Sequence, residues 1–152
     1  MEIFSELKSK DFKIITDVHN LYELDFKLYD FIDVIQIPAY LCMQTELTTK
    51  AAEKGKTINL KKGQFISPND VEKIVLKIKS TGNNNITITE RGTCFGYRDL
   101  MVDPRSFLIL RRLNYPVFFD VGHSVRKYGI PSSNTIDGGQ KEFCETYARS
   151  TG

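Results

Sequence analysis

Cysteine is sparse in this sequence: Cys42, Cys94 and Cys144 are three residues in a chain of 152. The number is odd and the spacing matches no metal-site pattern, which argues against a disulfide framework and for free thiols in a reducing compartment. An apolar leader is also missing, since the chain opens Met-Glu-Ile-Phe-Ser-Glu-Leu-Lys. No apolar run is long enough to cross a bilayer. Nor does one sign of charge dominate: 21 Lys and Arg against 19 Asp and Glu leave a net +2. That is too little for the electrostatic footprint of a nucleic-acid or membrane-surface binder. The expectation is therefore a cytoplasmic protein with neither nucleic acid nor membrane as partner. Glycine-rich dinucleotide and P-loop signatures are absent. No low-complexity stretch or linker divides the chain. What is present, 41% hydrophobic and 26% charged residues, suits one globular domain with a core.

The hydrophobic pattern alternates between two periods. Lys13–Val18, Asp33–Pro38, Thr57–Lys61, Asn85–Thr89 and Pro116–Val121 read as short strands, rich in β-branched residues. Between them lie helical patterns. Glu2–Lys10 has Ile3, Phe4 and Leu7 on one face, and Leu21–Phe31 has Leu21, Leu24, Leu28 and Phe31 on one stripe. Thr45–Lys54 is closed by Gly55, and Ser67-Pro68 caps a helix running to about Ser80. Asp103-Pro104 opens another, and Gln140–Arg149 forms the last after a loop over Val125–Gly138. Strands alternating with helices predict an α/β protein with a parallel sheet and right-handed crossovers.

Every predicted strand ends in polar chemistry: Asp17 and His19, Gln36, Lys61, Arg91, and Asp120 with His123. A βα-barrel builds its site from all its strand ends, whereas an open doubly wound sheet uses mainly one switch point. The pattern therefore favours a (β/α)8 barrel, of which the five βα units here amount to about three-fifths. Arg91 is the sharpest feature. It follows the Ile86–Thr89 strand and precedes a glycine-punctuated loop with Gly92, Cys94, Phe95, Gly96 and Tyr97. A guanidinium fits carboxylate or phosphate oxygens bidentately, and glycine lets the backbone approach them. Lys61 would lie one strand away, roughly 4.8 Å across, so both cations could grip one small dianion, with Gln36 as a neutral donor and Gln64 just above. His123 is a candidate proton carrier or metal ligand. Asp17 and His19, two apart, would face one side as a second proton-handling pair. These residues describe a site for a small phosphorylated or carboxylated metabolite and leave the reaction open.

The segments carrying this chemistry are Lys13-Ile-Ile-Thr-Asp-Val-His19, Asp33-Val-Ile-Gln-Ile-Pro-Ala39, Gln44-Thr-Glu-Leu47, Ile58-Asn-Leu-Lys-Lys-Gly-Gln-Phe65, Glu90-Arg-Gly-Thr-Cys-Phe-Gly-Tyr97 and Pro116-Val-Phe-Phe-Asp-Val-Gly-His-Ser124. In this order they resemble the 3-deoxy-D-manno-octulosonate 8-phosphate synthase family. The resemblance implies a (β/α)8 barrel, a homotetramer, and condensation of phosphoenolpyruvate with D-arabinose 5-phosphate in lipopolysaccharide sugar synthesis. It implies that Lys61 and Arg91 hold phosphoenolpyruvate beside Gln36 and Ala39, and that Gln64 belongs to the substrate site. His123 would be the ligand of a divalent Zn, Fe or Mn ion in the metal-dependent subclass. Asp17 and His19 would lie near the aldehyde and attacking water, and Tyr40 would reach a neighbouring subunit's sugar site.

Three departures stand out. Met43 occupies a position where the family usually has Arg, and Gly122 replaces the usual Thr. The family's first two strands and its last have no counterpart. The chain is thus expected to be an incomplete barrel, family strands 3 to 7, and inactive as it stands. Two rival readings are a phosphoenolpyruvate-dependent synthase of the aromatic pathway and a non-catalytic remnant.

Overall fold

The computed structural model describes residues 2–94, 100–127 and 139–151. Its centre is a five-stranded parallel sheet made of β1 (Ile15–Asp17), β2 (Val34–Ile37), β3 (Thr57–Lys61), β4 (Ile86–Glu90) and β7 (Val117–Phe119). The spatial order is the chain order, and every neighbouring pair is parallel. Right-handed crossovers between strands laid down in sequence put all the connecting helices on one face. The α/β class and parallel sheet are as the alternating pattern predicts. The strand order runs along the chain without reversal.

Side chains alternate along each strand, and the alternation decides which face is dry. Ile35, Ile37, Ile58, Leu60, Ile86 and Ile88 are buried together with Leu47 and Ala51 of α2 (Thr45–Glu53) and Ile74 and Ile78 of α3 (Val71–Lys79). Leu110 of α4 (Arg105–Arg111) completes this core. Each such aliphatic side chain contributes about 1.5–3 kcal/mol by leaving water, and Leu60→Ala would cost roughly 2–5 kcal/mol. The opposite face is polar. Asn59 donates to Thr87 and Thr89, each at 2.9 Å, and Thr89 donates back at 3.1 Å. With Ile15, Val34, Gln36 and Phe118 these residues line an open cleft of about 340 Å³.

Local signals explain the helix boundaries. Ser67 accepts from the Asn69 amide at 3.2 Å, as an N-cap should, but Pro68–Asp70 is first a 3-10 turn that then runs into α3. Gly55, at φ +71°, closes α2 in the left-handed region. α1 (Glu2–Ser9) is tied to the sheet by Lys8, whose ammonium lies 2.6 Å from Asp33. Asp33 also accepts from the Ile14 amide at 2.7 Å.

Two expectations are corrected. Leu21–Phe31 is not one helix. It is two 3-10 turns, Leu21–Asp25 and Lys27–Phe31, hinged at an extended Phe26. Asn20 accepts from the Glu23 amide and fixes the first turn, while the Tyr29 hydroxyl donates to the Asp17 carbonyl at 3.0 Å and draws the second against β1. Tertiary anchoring of an aromatic-rich segment overrides its helical stripe. Val121, expected to end the fifth strand, instead opens a short helix, α5 (Val121–Ser124), with Asp120 as its cap. An antiparallel pair absent from the sequence reading, β5 (Thr93–Cys94) with β6 (Leu100–Met101), follows β4. Phe95, Gly96 and Tyr97, and most of the predicted Val125–Gly138 loop, lie outside the described residues. α6 (Cys144–Thr151) ends the fold.

Candidate anion-binding site

The parallel ladder brings three strand ends level. Lys61 pairs with Thr89 in the β3–β4 register, the Lys62 amide donates to the Thr89 carbonyl at 2.8 Å, and the Asp120 amide donates to the Glu90 carbonyl at 2.8 Å. Lys61, Arg91 and Asp120 therefore leave the sheet side by side. Alternation sends Lys61 and Arg91 one way and Lys62 and Glu90 the other.

Lys61, Asp120 and His123 are in contact. The Lys61 ammonium is 2.5 Å from Asp120 Oδ2 and 3.4 Å from His123 Nδ1. Asp120 Oδ2 is 2.7 Å from His123 Nδ1, and its Oδ1 accepts the His123 amide at 2.9 Å. Burial alone would raise the Asp120 pKa. The hydrogen bonds from His123 and Lys61 outweigh burial and hold the carboxyl well below the usual carboxylate range. An ionised carboxylate only accepts, so His123 Nδ1 is the donor in this contact.

Arg91 is different. It is 6% exposed, and its buried Nε and Nη1 have no hydrogen-bond partner among the described residues. A buried guanidinium with donors unfilled is costly and is relieved by an anion. Gln64, 1% exposed, has both amide atoms unpartnered among the described residues as well. Its backbone carbonyl accepts from the Cys94 amide at 2.7 Å, which places it beside the turn that carries Arg91.

The other predicted residues are distributed around this basin. Gln36 donates to the Asp17 carboxylate, joining the tips of β2 and β1. Ala39 is buried and Tyr40 is 65% exposed on the 3-10 turn Ala39–Leu41 that follows β2. Met43, just beyond, is exposed too. His19 lies past the end of β1, with its ring turned to Glu23 at 3.9 Å. The expected pairing of His19 with Asp17 on one side of a strand is therefore not what the geometry gives, because β1 stops at Asp17. His, Cys, Asp and Glu side chains gather in no group of three or more among the described residues. With Asp120 committed to Lys61, the described residues do not compose a metal site, and His123 Nε2 stands as a single candidate ligand.

Sequence reasoning missed two residues. Lys62 is fully buried, and its ammonium lies 3.3 Å from Glu90 Oε1, itself 1% exposed. Period-two alternation at a Lys-Lys pair and a Glu-Arg pair was the available signal, since one member of each must turn inward.

A buried guanidinium with two donors unpartnered among the described residues, beside a lysine at the carboxyl ends of a sequentially ordered parallel sheet, is an arrangement a βα protein can offer to a small anion. Comparison with known proteins narrows this. The chain belongs to the DAHP synthetase I family, whose model matches residues 1–148. Curated relatives named 2-dehydro-3-deoxyphosphooctonate aldolase include one from Geobacter sp. (strain M21), 48% identical over 136 residues, 90% of this chain and 49% of the relative. Those from Trichlorobacter lovleyi and Brucella ovis are 44% and 45% identical over 150 residues, 98% of this chain and 54% and 53% of their own. The chain spans about half the length of the curated relatives it matches. No described helix is long and apolar enough to cross a membrane.

Proposed function

We propose that this chain carries the phosphoenolpyruvate-binding strand ends of a synthase that condenses phosphoenolpyruvate with D-arabinose 5-phosphate, giving 3-deoxy-D-manno-octulosonate 8-phosphate and inorganic phosphate. The sheet is on this reading the wall of a (β/α)8 barrel, and the assembled enzyme a cytoplasmic homotetramer. The observation that carries the proposal is the buried guanidinium of Arg91, its Nε and Nη1 unpartnered among the described residues, one strand from Lys61. The names of the relatives supply the substrate class.

In the reaction a bond forms between C3 of phosphoenolpyruvate and the aldehyde carbon of the pentose phosphate, whose oxygen takes up a proton. Water adds at C2, and phosphate leaves from C2. Arg91 and Lys61 hold the phosphoenolpyruvate anion and stabilise charge as phosphate departs. Gln64 offers a neutral amide to the same oxygens. His123, oriented by Asp120, presents Nε2 to move a proton. Asp17 and Gln36, joined at the next strand tips, face the aldehyde and water side.

Titration with phosphoenolpyruvate tests this, with inorganic phosphate as competitor, followed by addition of each aldose and measurement of phosphate release. Saturable phosphoenolpyruvate binding is expected of this chain, and phosphate release with arabinose 5-phosphate of the assembled enzyme. Release with erythrose 4-phosphate alone would move the protein to the aromatic-pathway class. Binding with no release from either sugar by the assembled enzyme would make it a non-catalytic binding module, and no binding at all by this chain would overturn the proposal.

A further inference from the structure

Behind the two cations of the basin lies a second, inward pair. Lys62 follows Lys61 on β3, and Glu90 precedes Arg91 on β4. The Lys62 ammonium reaches the Gly63 carbonyl at 3.2 Å, the Gly92 carbonyl at 3.3 Å, Thr93 Oγ1 at 3.1 Å and Glu90 Oε1 at 3.3 Å. Glu90 Oε1 in turn accepts from the Arg91 amide at 2.8 Å and the Gly92 amide at 2.7 Å. Gly92 takes the left-handed φ of +90°, where a Cβ would lie 3.2 Å from that of Leu100.

We infer that Lys62 and Glu90 are positioning residues for anion binding: a buried clamp that fixes the separation and aim of Lys61 and Arg91. The inference rests on the reading that those two residues hold the ligand. Its physical basis is that each member of the clamp is covalently next to one ligand-binding cation. Lys62 bonds backbone on both strand ends, so the ends cannot slide apart without breaking it. Glu90 folds the turn after β4 through two amides, and that turn sets the direction in which the Arg91 side chain leaves. Its carboxylate also offsets Lys62, which otherwise would add a third positive charge behind Lys61 and Arg91. A binding group held by residues locked from behind loses little freedom on meeting its ligand.

The simpler alternative is that the pair only stabilises the fold. The two differ in what a folded variant does. Glu90→Gln keeps an oxygen for the Arg91 and Gly92 amides but removes the charge facing Lys62, and Lys62→Met removes the bridge between strand ends. Dissociation constants for phosphoenolpyruvate and for inorganic phosphate should be measured well below each variant's melting temperature, with circular dichroism as the check on folding. Lys62→Met is expected to weaken both by about tenfold or more, and Glu90→Gln by less. Unchanged affinities in folded variants, with only the melting temperature lowered, would overturn the clamp. If Lys62→Met fails to fold, the near-isosteric Glu90→Gln carries the same readout. Wild-type protein that binds phosphate but not phosphoenolpyruvate would sink the synthase reading while leaving the clamp to be judged with phosphate. Wild-type protein that binds neither would sink both.

Discussion

Asp120 holds the Lys61 ammonium at 2.5 Å, so one of the two cations in the basin arrives already paired, while Nε and Nη1 of the other, Arg91, have no partner among the described residues. This asymmetry separates their consequences for stability. Asp120→Asn keeps a cap oxygen for the His123 amide but removes the charge on Lys61. It should lower stability near neutral pH by roughly 1–3 kcal/mol, the scale of hydrogen bonds to charged groups. The pH dependence has a definite sign. A carboxyl depressed in the folded state contributes stability that is complete above its ordinary value of 3.8 and is lost as pH falls toward the lower folded value. The gap between wild type and variant should therefore be flat at neutral pH and close in acid. Urea unfolding midpoints across that range measure it, and a gap that widens in acid would contradict the pairing.

Arg91 predicts the reverse trade. Its Nε and Nη1 are buried without partners among the described residues, so the free protein bears the cost of an uncompensated charge. Arg91→Met should leave the ligand-free protein as stable as wild type or more so. Phosphate and phosphoenolpyruvate affinity should fall about tenfold to a hundredfold, one or two charge-assisted hydrogen bonds' worth. Thermal melts with and without phosphate check both halves at once. A variant that is destabilised yet binds normally would show that Arg91 is structural.

The strands and their tips were legible because period-two runs of β-branched residues are local signals, and each was punctuated by a charged or turn-forming residue. Leu60, Lys61 and the strand that carries them needed no tertiary knowledge. The segment from Leu21 to Phe31 was misread because its stripe of Leu and Phe is compatible with a helix, while what decides it, the Tyr29 hydroxyl reaching Asp17, lies between elements. Likewise Arg91 and Lys61 were visible as neighbours, but the engagement of Lys61 by Asp120 depends on a residue 59 positions later in the chain, and no sequence pattern states it. Lys62 and Glu90 were hidden by their types, since fully buried charges are rare and the default for both is solvent.

Tyr29 offers a test of that misread segment. Burial, with Glu23 and Asp17 adding negative charge nearby, pushes its phenol up to about 12 from 10.0. A raised folded pKa means that its share of stability is intact below about 10 and is lost as pH climbs toward 12. Tyr29→Phe forfeits the hydrogen bond to the Asp17 carbonyl, about 1 kcal/mol, yet should be less sensitive to alkali over that interval. Denaturant midpoints of the two proteins should therefore converge or cross as pH rises. Parallel curves would mean that the phenol is not held in the folded protein as described.

The outer strands set the last expectation. β1 and β7 each pair on one side only among the described residues. The face between them exposes Ile15 at 53% and Phe118 at 55%. Unpaired strand backbone next to exposed apolar side chains is a template for association. The protein should therefore self-associate as its concentration rises, and the contact should run through this face rather than the helix-covered one. Phe118→Lys tests this, because its side chain is half exposed and contributes little to the core, so stability should change by no more than about 0.5 kcal/mol while association weakens. Leu108→Lys on α4, where the leucine is 61% exposed on the helical side, is the control and should leave association unchanged. Sedimentation velocity over a concentration series reads both. A concentration-independent monomer, or a Leu108 effect larger than that of Phe118, would place the contact elsewhere.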